Sequence, residues 1–320
     1  MKKGLFILSF AISVVCCNQK NPNIPVVGFA DAFQDNTIEQ AKTGFIDALK
    51  QEGFDETKGA IKIIYRNAQG SIPTLTQIIK YFIAQPVTLI AASPSISTIT
   101  AVQNTKDIPI FMMVSPTPTL MKVNDDKGAP PSNLFGVGET LDYIDTSFLL
   151  IPKTIRPESG KLTVGMIFNQ SEPQSVESLD RIKKLAGENN IHLVFRPVNS
   201  SADAQLVTAS LLSENIDVFF ANPDNIVFGS FETILKLCNQ NNIPIFTSEA
   251  GLVERGALAA YGADIYQWGY QAGKQAAKYL KTKSVEGLHW EMVAARKRVY
   301  NPAVAKKFGI DIPSNFQAVQ

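Results

Sequence analysis

The chain is poor in the residues most chemistry depends on. Of 320 residues two are histidine and three are cysteine, so general bases and soft metal ligands are scarce. His192 falls in an expected strand and His289 beside Trp290, positions that read as structural or surface. No GxGxxG follows the first expected strand and no GxSxG elbow occurs. Gly269-Tyr270-Gln271-Ala272-Gly273-Lys274 has one residue too few between its glycines for a phosphate loop. Neither a metal nor any other cofactor is expected. An excess of one charge is missing too: 30 Lys+Arg stand against 29 Asp+Glu, so no overall field draws in nucleic acid or an anionic membrane. The runs Arg296-Lys297-Arg298 and Lys306-Lys307 read as solvated faces. With 45% hydrophobic content the chain has material for a large core and, by length, for two domains.

No apolar run is long enough to cross a bilayer. The longest, residues 4–15 behind Lys2 and Lys3, has the length of a signal-peptide core. It ends at Cys16-Cys17, followed by polar Asn18-Gln19-Lys20 and Asn21-Pro22-Asn23, a tether composition. This segment resembles a bacterial lipoprotein signal. Cys17 fits the lipidated position better than Cys16, because Val14 and Val15 then occupy the outer apolar positions and small Cys16 precedes the modified residue. A plain cleaved signal is the alternative. Once this segment is set aside, Cys238 has no partner for an internal disulfide and reads as a small core residue.

From residue 24 onward, short β-branched or aromatic runs alternate with helix-period segments, as expected of a parallel sheet covered on both faces. Strands are expected at 26–30, 61–65, 88–92, 108–112 and 134–137, then at 162–168, 191–196, 218–221, 243–247 and 257–261. The two series echo each other. Ile108-Pro109-Ile110-Phe111 recurs as Ile243-Pro244-Ile245-Phe246, Ala92-Ser93-Pro94 as Ala221-Asn222-Pro223, and Phe135-Gly136-Val137-Gly138 as Ala259-Ala260-Tyr261-Gly262, in the same order. The expected fold is therefore α/β, with two similar doubly wound parallel-sheet lobes joined by a multi-crossing hinge. Residues 1–17 are assigned to the signal and 18–23 to the tether. Residues 24–138 plus about 264–286 form the first lobe, and 139–263 plus about 287–320 the second. A strand-like run at 291–300 and a closing helix at 302–308 belong to that tail. Hinge links are expected near Gly138-Glu139, Gly262-Ala263 and Gly287.

Small hydroxyl, amide and acidic residues cluster just past the expected strands, where open α/β sheets bind ligands. Ser93 and Ser95 follow the third strand, and Ser115 and Thr117 the fourth. In the second series come Asn169, Glu172, Gln174 and Ser175, then Asp224 and Asn225, then Glu249, with Asp264 beyond. Such a set suits a zwitterion: hydroxyls and N–H groups at helix starts hold a carboxylate, while Asp224, Glu249 or Asp264 takes an ammonium. Helix capping by the same residue types is the competing explanation. Phe29, Phe33, Phe168 and Tyr266 stand near strand ends and serve either a ligand's apolar part or the core.

Taken together, Asn67-Ala68-Gln69-Gly70, Ile108-Pro109-Ile110, Asn169 with Glu172 and Ser175, Asn222-Pro223-Asp224-Asn225, Gly256-Ala257-Leu258-Ala259, Gly262-Ala263-Asp264-Ile265-Tyr266, Asn301 and Gly309-Ile310-Asp311-Ile312-Pro313 resemble the ABC-transporter substrate-binding proteins of the tryptophan/tyrosine type. The resemblance implies a periplasmic-binding-protein type I fold; with the N-terminal segment, the expectation is an exported protein, lipid-anchored at the outer face of the cytoplasmic membrane or in the periplasm. It also implies an ABC permease as partner, a small-molecule ligand that is an aromatic or apolar amino acid, and no chemical step. Gln174-Ser175 departs from the Asn-Ser common in such proteins, and Ser93 stands where threonine is common, which bears on the ligand more than on the fold. A sugar- or nucleoside-binding protein of the same fold, an exported enzyme and the effector domain of a soluble regulator are the rival readings.

Overall fold

The computed structural model describes residues 24–157 and 160–319; the signal, Cys17 and the tether lie outside them. The first series comprises β1 (Val26–Asp31), α1 (Asn36–Gln51), β2 (Lys62–Asn67), α2 (Ile72–Ala84), β3 (Leu89–Ser93), α3 (Ser95–Asn104), β4 (Ile110–Pro116) and β5 (Leu134–Glu139). Then follow α4 (Tyr143–Phe148), α5 (Ile151–Thr154), β6 (Thr163–Phe168), α6 (Pro173–Glu188), β7 (His192–Pro197), α7 (Ala204–Leu212), β8 (Val218–Ala221), α8 (Asn225–Gly229), α9 (Phe231–Gln240), β9 (Ile245–Thr247), α10 (Ala250–Glu254) and β10 (Ala259–Ala263). The tail holds α11 (Ile265–Thr282), β11 (Glu291–Met292), β12 (Arg296–Tyr300), α12 (Pro302–Phe308) and β13 (Gln317–Ala318).

Two sheets result, with orders β11-β5-β4-β3-β1-β2 and β13-β12-β10-β9-β8-β6-β7. In each, the first strand of its series sits between the second and third, so the two lobes share one plan. Every pairing of the first sheet is parallel, whereas β12 runs antiparallel to β10 in the second. Strands β3, β5 and β8 are buried at every residue, which is why they read as unbroken apolar runs rather than alternations. The repeated Ile-Pro-Ile does matching work: the carbonyls of Pro109 and Pro244 accept from Ile90 N at 2.9 Å and Phe219 N at 3.0 Å, joining β4 to β3 and β9 to β8.

Helix α1 shows how local sequence sets packing. Asp35 caps it, accepting from Thr37 N and Ile38 N, and Ile38, Ala41, Phe45, Ala48 and Leu49 form a helical stripe turned inward. Helix α11 leaves the second lobe and lies along α1. A Cβ at Gly269 would fall 1.8 Å from Ala41 O, and one at Gly44 2.1 Å from Tyr266 O, so only glycine allows this crossing. Trp268, Ala272, Ala276 and Leu280 thereby join Phe29, Phe45 and Phe111 in the first lobe's core. Each large side chain so buried contributes about 1.5–3 kcal/mol.

The chain crosses between lobes after β5, between β10 and α11, and between β11 and β12. The third crossing differs from the expected link near Gly287, and residues 291–300 are not one strand. Glu291 and Met292 pair with Val137 and Gly138 and so extend the first sheet; only from Arg296 does the chain join the second. Gly287, at φ 68°, is a turn before β11. Among the described residues no helix is long and apolar enough to cross a membrane.

Candidate functional site

The carboxyl ends of the two sheets face each other across a cleft. On the first lobe β3 delivers the chain to α3, whose N-cap, Pro94, has no side-chain acceptor. The first N–H groups of α3 therefore have no capping side chain, and Ser95 stands among them. Ser95 Oγ accepts from Gln174 Nε2 at 3.0 Å and from Asn225 Nδ2 at 3.2 Å, both on the second lobe. These bonds close the cleft. Beside them the register of β4 against β5 slips between Met112 and Ser115, and Val114 in this bulge has φ 50°. A β-branched residue there costs about 1–3 kcal/mol of strain. Its side chain packs against the cores of both lobes.

The second lobe supplies carboxylates. Asp224 caps α8 through Ile226 N and Val227 N, while its other oxygen accepts from Asn169 N at 2.6 Å and Ser175 Oγ at 2.5 Å. All four of its lone pairs are thus engaged within the protein, and burial raises its pKa against those bonds. Glu172 accepts from Asn169 Nδ2 at 3.0 Å, Gln174 Nε2 at 2.7 Å and Asn225 N at 3.1 Å. Burial first, then the charge of Asp224, pushes its carboxyl up to about 8. Glu249, 3% exposed, takes a 2.7 Å bond from Tyr143 Oη, and burial raises it to about 7. Glu139 is also raised by burial, although Arg296 Nε donates to it at 2.9 Å.

Two cavities lie in the cleft. The inner one is narrow, about 40 Å³, and is lined by Ser95, Ser115, Gln174, Asp224, Asn225 and Glu249 together with Val114, Glu139, Leu141, Tyr143, Phe228 and Trp268. The outer one, about 480 Å³, meets it at Asn225 and adds Asn169, Glu172 and the apolar Phe33, Ile72, Leu75, Ile96 and Ile226. Four expected residues reach neither. Ser93 and Ser175 are buried behind the wall. Thr117 accepts from Leu120 N within its own turn. Asp264 caps α11 and lies 3.5 Å from Lys297. Of the aromatics, Phe29 packs in the core on Phe45, Phe168 on Phe195, and Tyr266 donates to Asp47; only Phe33 meets a cavity. Sequence reasoning missed Glu139, the last residue of β5, which lies just past the expected strand 134–137 and so meets the same rule that singled out Ser93 and Ser115. Trp268 and Phe228 lie inside helices, and no local signal marks them; Trp268 is oriented by donating to Val137 O at 2.8 Å.

The chain has relatives that match this description. Over 259 residues it is 34% identical to the tyrosine-binding protein of Clostridioides difficile (strain R20291), covering 81% of this chain and 73% of that one. A solved ABC domain from Streptococcus pneumoniae in complex with L-Trp superposes with a TM-score of 0.82 at 21% identity, over 92% of this chain and 99% of that one. The ligand-free, open structure of a substrate-binding protein with adhesive properties from Clostridium difficile gives 0.65 at 28% identity, over 93% and 99%. The lower score against an open structure accords with the cross-cleft bonds of Ser95 here. Residues 26–319 match the family described as ABC transporter substrate binding protein, and with two parallel-sheet lobes and a cleft between them, the chain belongs to that family.

Proposed function

We propose that the protein captures an aromatic amino acid in its cleft and presents it to an ABC permease, with no chemical step. The observation that carries this is a charge deficit. Glu249 is buried on the inner cavity and, among the described residues, bonds no cation, only Tyr143 and Ser248, while the charge of a second carboxylate, Glu139, acts to raise it further. A buried anion of this kind needs a countercharge, and a ligand ammonium provides one. The uncapped N-terminus of α3 at Ser95 lies on the same cavity and suits the ligand carboxylate. The narrow inner cavity thus takes the zwitterionic head, and the ring extends past Asn225 into the outer cavity along Phe33, Leu75 and Ile96. Glu172 Oε1 receives one bond, from Asn169, which leaves a lone pair for a phenol hydroxyl or an indole N–H. The tyrosine-binding relative and the L-Trp complex support the same ligand class. Of the proposed contacts, Ser95, Ser115, Gln174, Asn225, Glu172 and Glu249 touch the ligand; Asp224 lines the inner cavity with its lone pairs already filled by the protein, and Ser175 lies behind it.

Export and anchoring through lipidated Cys17 complete the proposal, on the strength of the N-terminal segment. Replacing Cys17 by serine is expected to shift the protein from the membrane fraction to the soluble one; unchanged fractionation excludes Cys17 as the anchor. The ligand is tested by thermal shift of the purified protein against amino acids, sugars and nucleosides. L-tyrosine or L-tryptophan at a hundred times Kd should stabilise by about 2.7 kcal/mol, read as a rise in Tm of roughly 5–10 °C. A shift with a sugar or nucleoside and none with any amino acid overturns the reading.

A further inference from the structure

Arg255, in the turn after α10, is fixed on the second lobe. Its Nε and Nη2 donate to Glu232 at 2.9 Å each, Nη2 also to Phe228 O at 3.2 Å, and the guanidinium lies 5.1 Å over the Phe231 ring. The remaining nitrogen, Nη1, reaches the first lobe, where it bonds Asp35 Oδ2 at 2.6 Å and Thr37 Oγ1 at 3.2 Å. Asp35 is meanwhile the cap of α1 through its other oxygen. The side chains of Asp35 and Arg255 are only 2% and 14% exposed, and neither residue lines the inner or the outer cavity. Around this ion pair the lobes meet directly. A Cβ on Gly251 would fall 2.1 Å from Thr37 Cγ2, and Ile38 of α1 is buried in the apolar cluster of the second lobe with Phe228, Leu252 and Val253.

We infer that Arg255 is a positioning residue for lobe closure, a latch that sets ligand affinity without touching ligand. Closure takes the Asp35 carboxylate out of water; its Oδ1 keeps the two N–H groups of α1, and the charge left on Oδ2 is offset by the partner cation. Because Glu232, Phe228 and Phe231 already hold the guanidinium, little side-chain freedom is lost when it engages. A neutral residue at 255 leaves the buried anion of Asp35 uncompensated in the closed form alone, so closure becomes rarer. Apparent affinity falls by the same factor, since ligand is retained by the closed form. The affinity consequence rests on the cleft reading above, whereas the latch itself is measurable with no ligand present.

The test uses the full chain carrying Ile38→Cys, whose thiol reacts with a soluble maleimide only when the lobes part; peptide mapping separates it from the native cysteines. In that background Arg255→Gln should speed labelling at position 38 about tenfold. Asp35→Asn, which keeps a capping side chain and leaves no buried anion to compensate, should speed it less and should cancel most of the effect of Arg255→Gln when the two are combined; Gly251→Ala should speed it with no change of charge, and Arg255→Lys should recover part of the loss. Cys238, buried in the second lobe's core, should keep its labelling rate in all of them. An unchanged rate at position 38 in Arg255→Gln overturns the latch, and so does a parallel rise at Cys238, which means unfolding rather than opening. L-tyrosine should slow labelling at position 38 throughout. If it does not, the ligand reading fails, and the rates without ligand still decide the latch.

Discussion

Ser95 and Asp224 occupy the same place in the two lobes, just after the matching Ala92-Ser93-Pro94 and Ala221-Asn222-Pro223. Each begins the helix that follows the third strand of its series, yet they do opposite things. Asp224 satisfies its own helix and spends its second oxygen on Asn169 and Ser175, so that corner of the cleft is closed to a ligand's charge. Helix α3 has no such cap, and Ser95 bonds only to side chains of the other lobe. A duplicated architecture thus carries one self-sufficient helix start and one open one. Capping and ligand binding, the two readings of these residue types, divide between the lobes.

Removing the self-sufficient side should give the largest effect. In Asp224→Ala, the N–H groups of Ile226 and Val227 and the Ser175 hydroxyl lose their acceptor inside the protein and Asn169 N keeps only Ser175 Oγ, so a loss of about 3–4 kcal/mol in urea unfolding is expected. Unchanged stability with lost binding would return Asp224 to the ligand. The reciprocal change, Ser95→Asp, puts an acidic residue in the first turn of α3, one position inside its N-cap Pro94, and sets a carboxylate where the ligand's own would lie. Affinity for L-tyrosine should fall about a hundredfold, some 2.7 kcal/mol, with Tm held or raised. Retained affinity would mean the ligand carboxylate sits elsewhere.

The sequence made the scaffold more legible than the site. Strand positions could be read because buried parallel strands such as β3 and β8 are unbroken apolar runs, and the Ile-Pro-Ile echo marks equivalent hydrogen bonds in both sheets. The last crossing was hidden because β11 is two residues long and has no pattern of its own. Within the cleft, the rule of polar residues past strand ends gathered Ser95, Gln174, Asn225 and Glu249 but had no means of separating wall from interior. Asp224 and Asp264 obey it as fully as Glu249 does; only the hydrogen-bond count distinguishes a carboxylate whose lone pairs are filled from one with room. Trp268 and Phe228 come from helix faces brought in by tertiary packing, and Arg255 acts across a lobe boundary that no local spacing encodes.

The charge deficit on the second lobe also sets a pH dependence, the smallest effect of the comparison. Burial lifts Glu249 from an ordinary 4.5 to about 7 and Glu172 to about 8. A carboxyl whose pKa is higher folded than unfolded binds its proton more tightly in the fold. The stability this contributes is therefore complete below about pH 4.5 and is lost as pH rises through 7 to 8. Ligand binding runs the other way, because an ammonium favours the ionised carboxylate. The most direct test is calorimetry of L-tyrosine binding at pH 6 and pH 8 in buffers of different ionisation enthalpy, on the native protein and on Glu249→Gln. The native protein should release a proton on binding at pH 6 and bind about tenfold tighter at pH 8, and Glu249→Gln should bind more weakly with neither property. Tight binding with no proton release and no pH dependence would contradict the placement of the ammonium on Glu249.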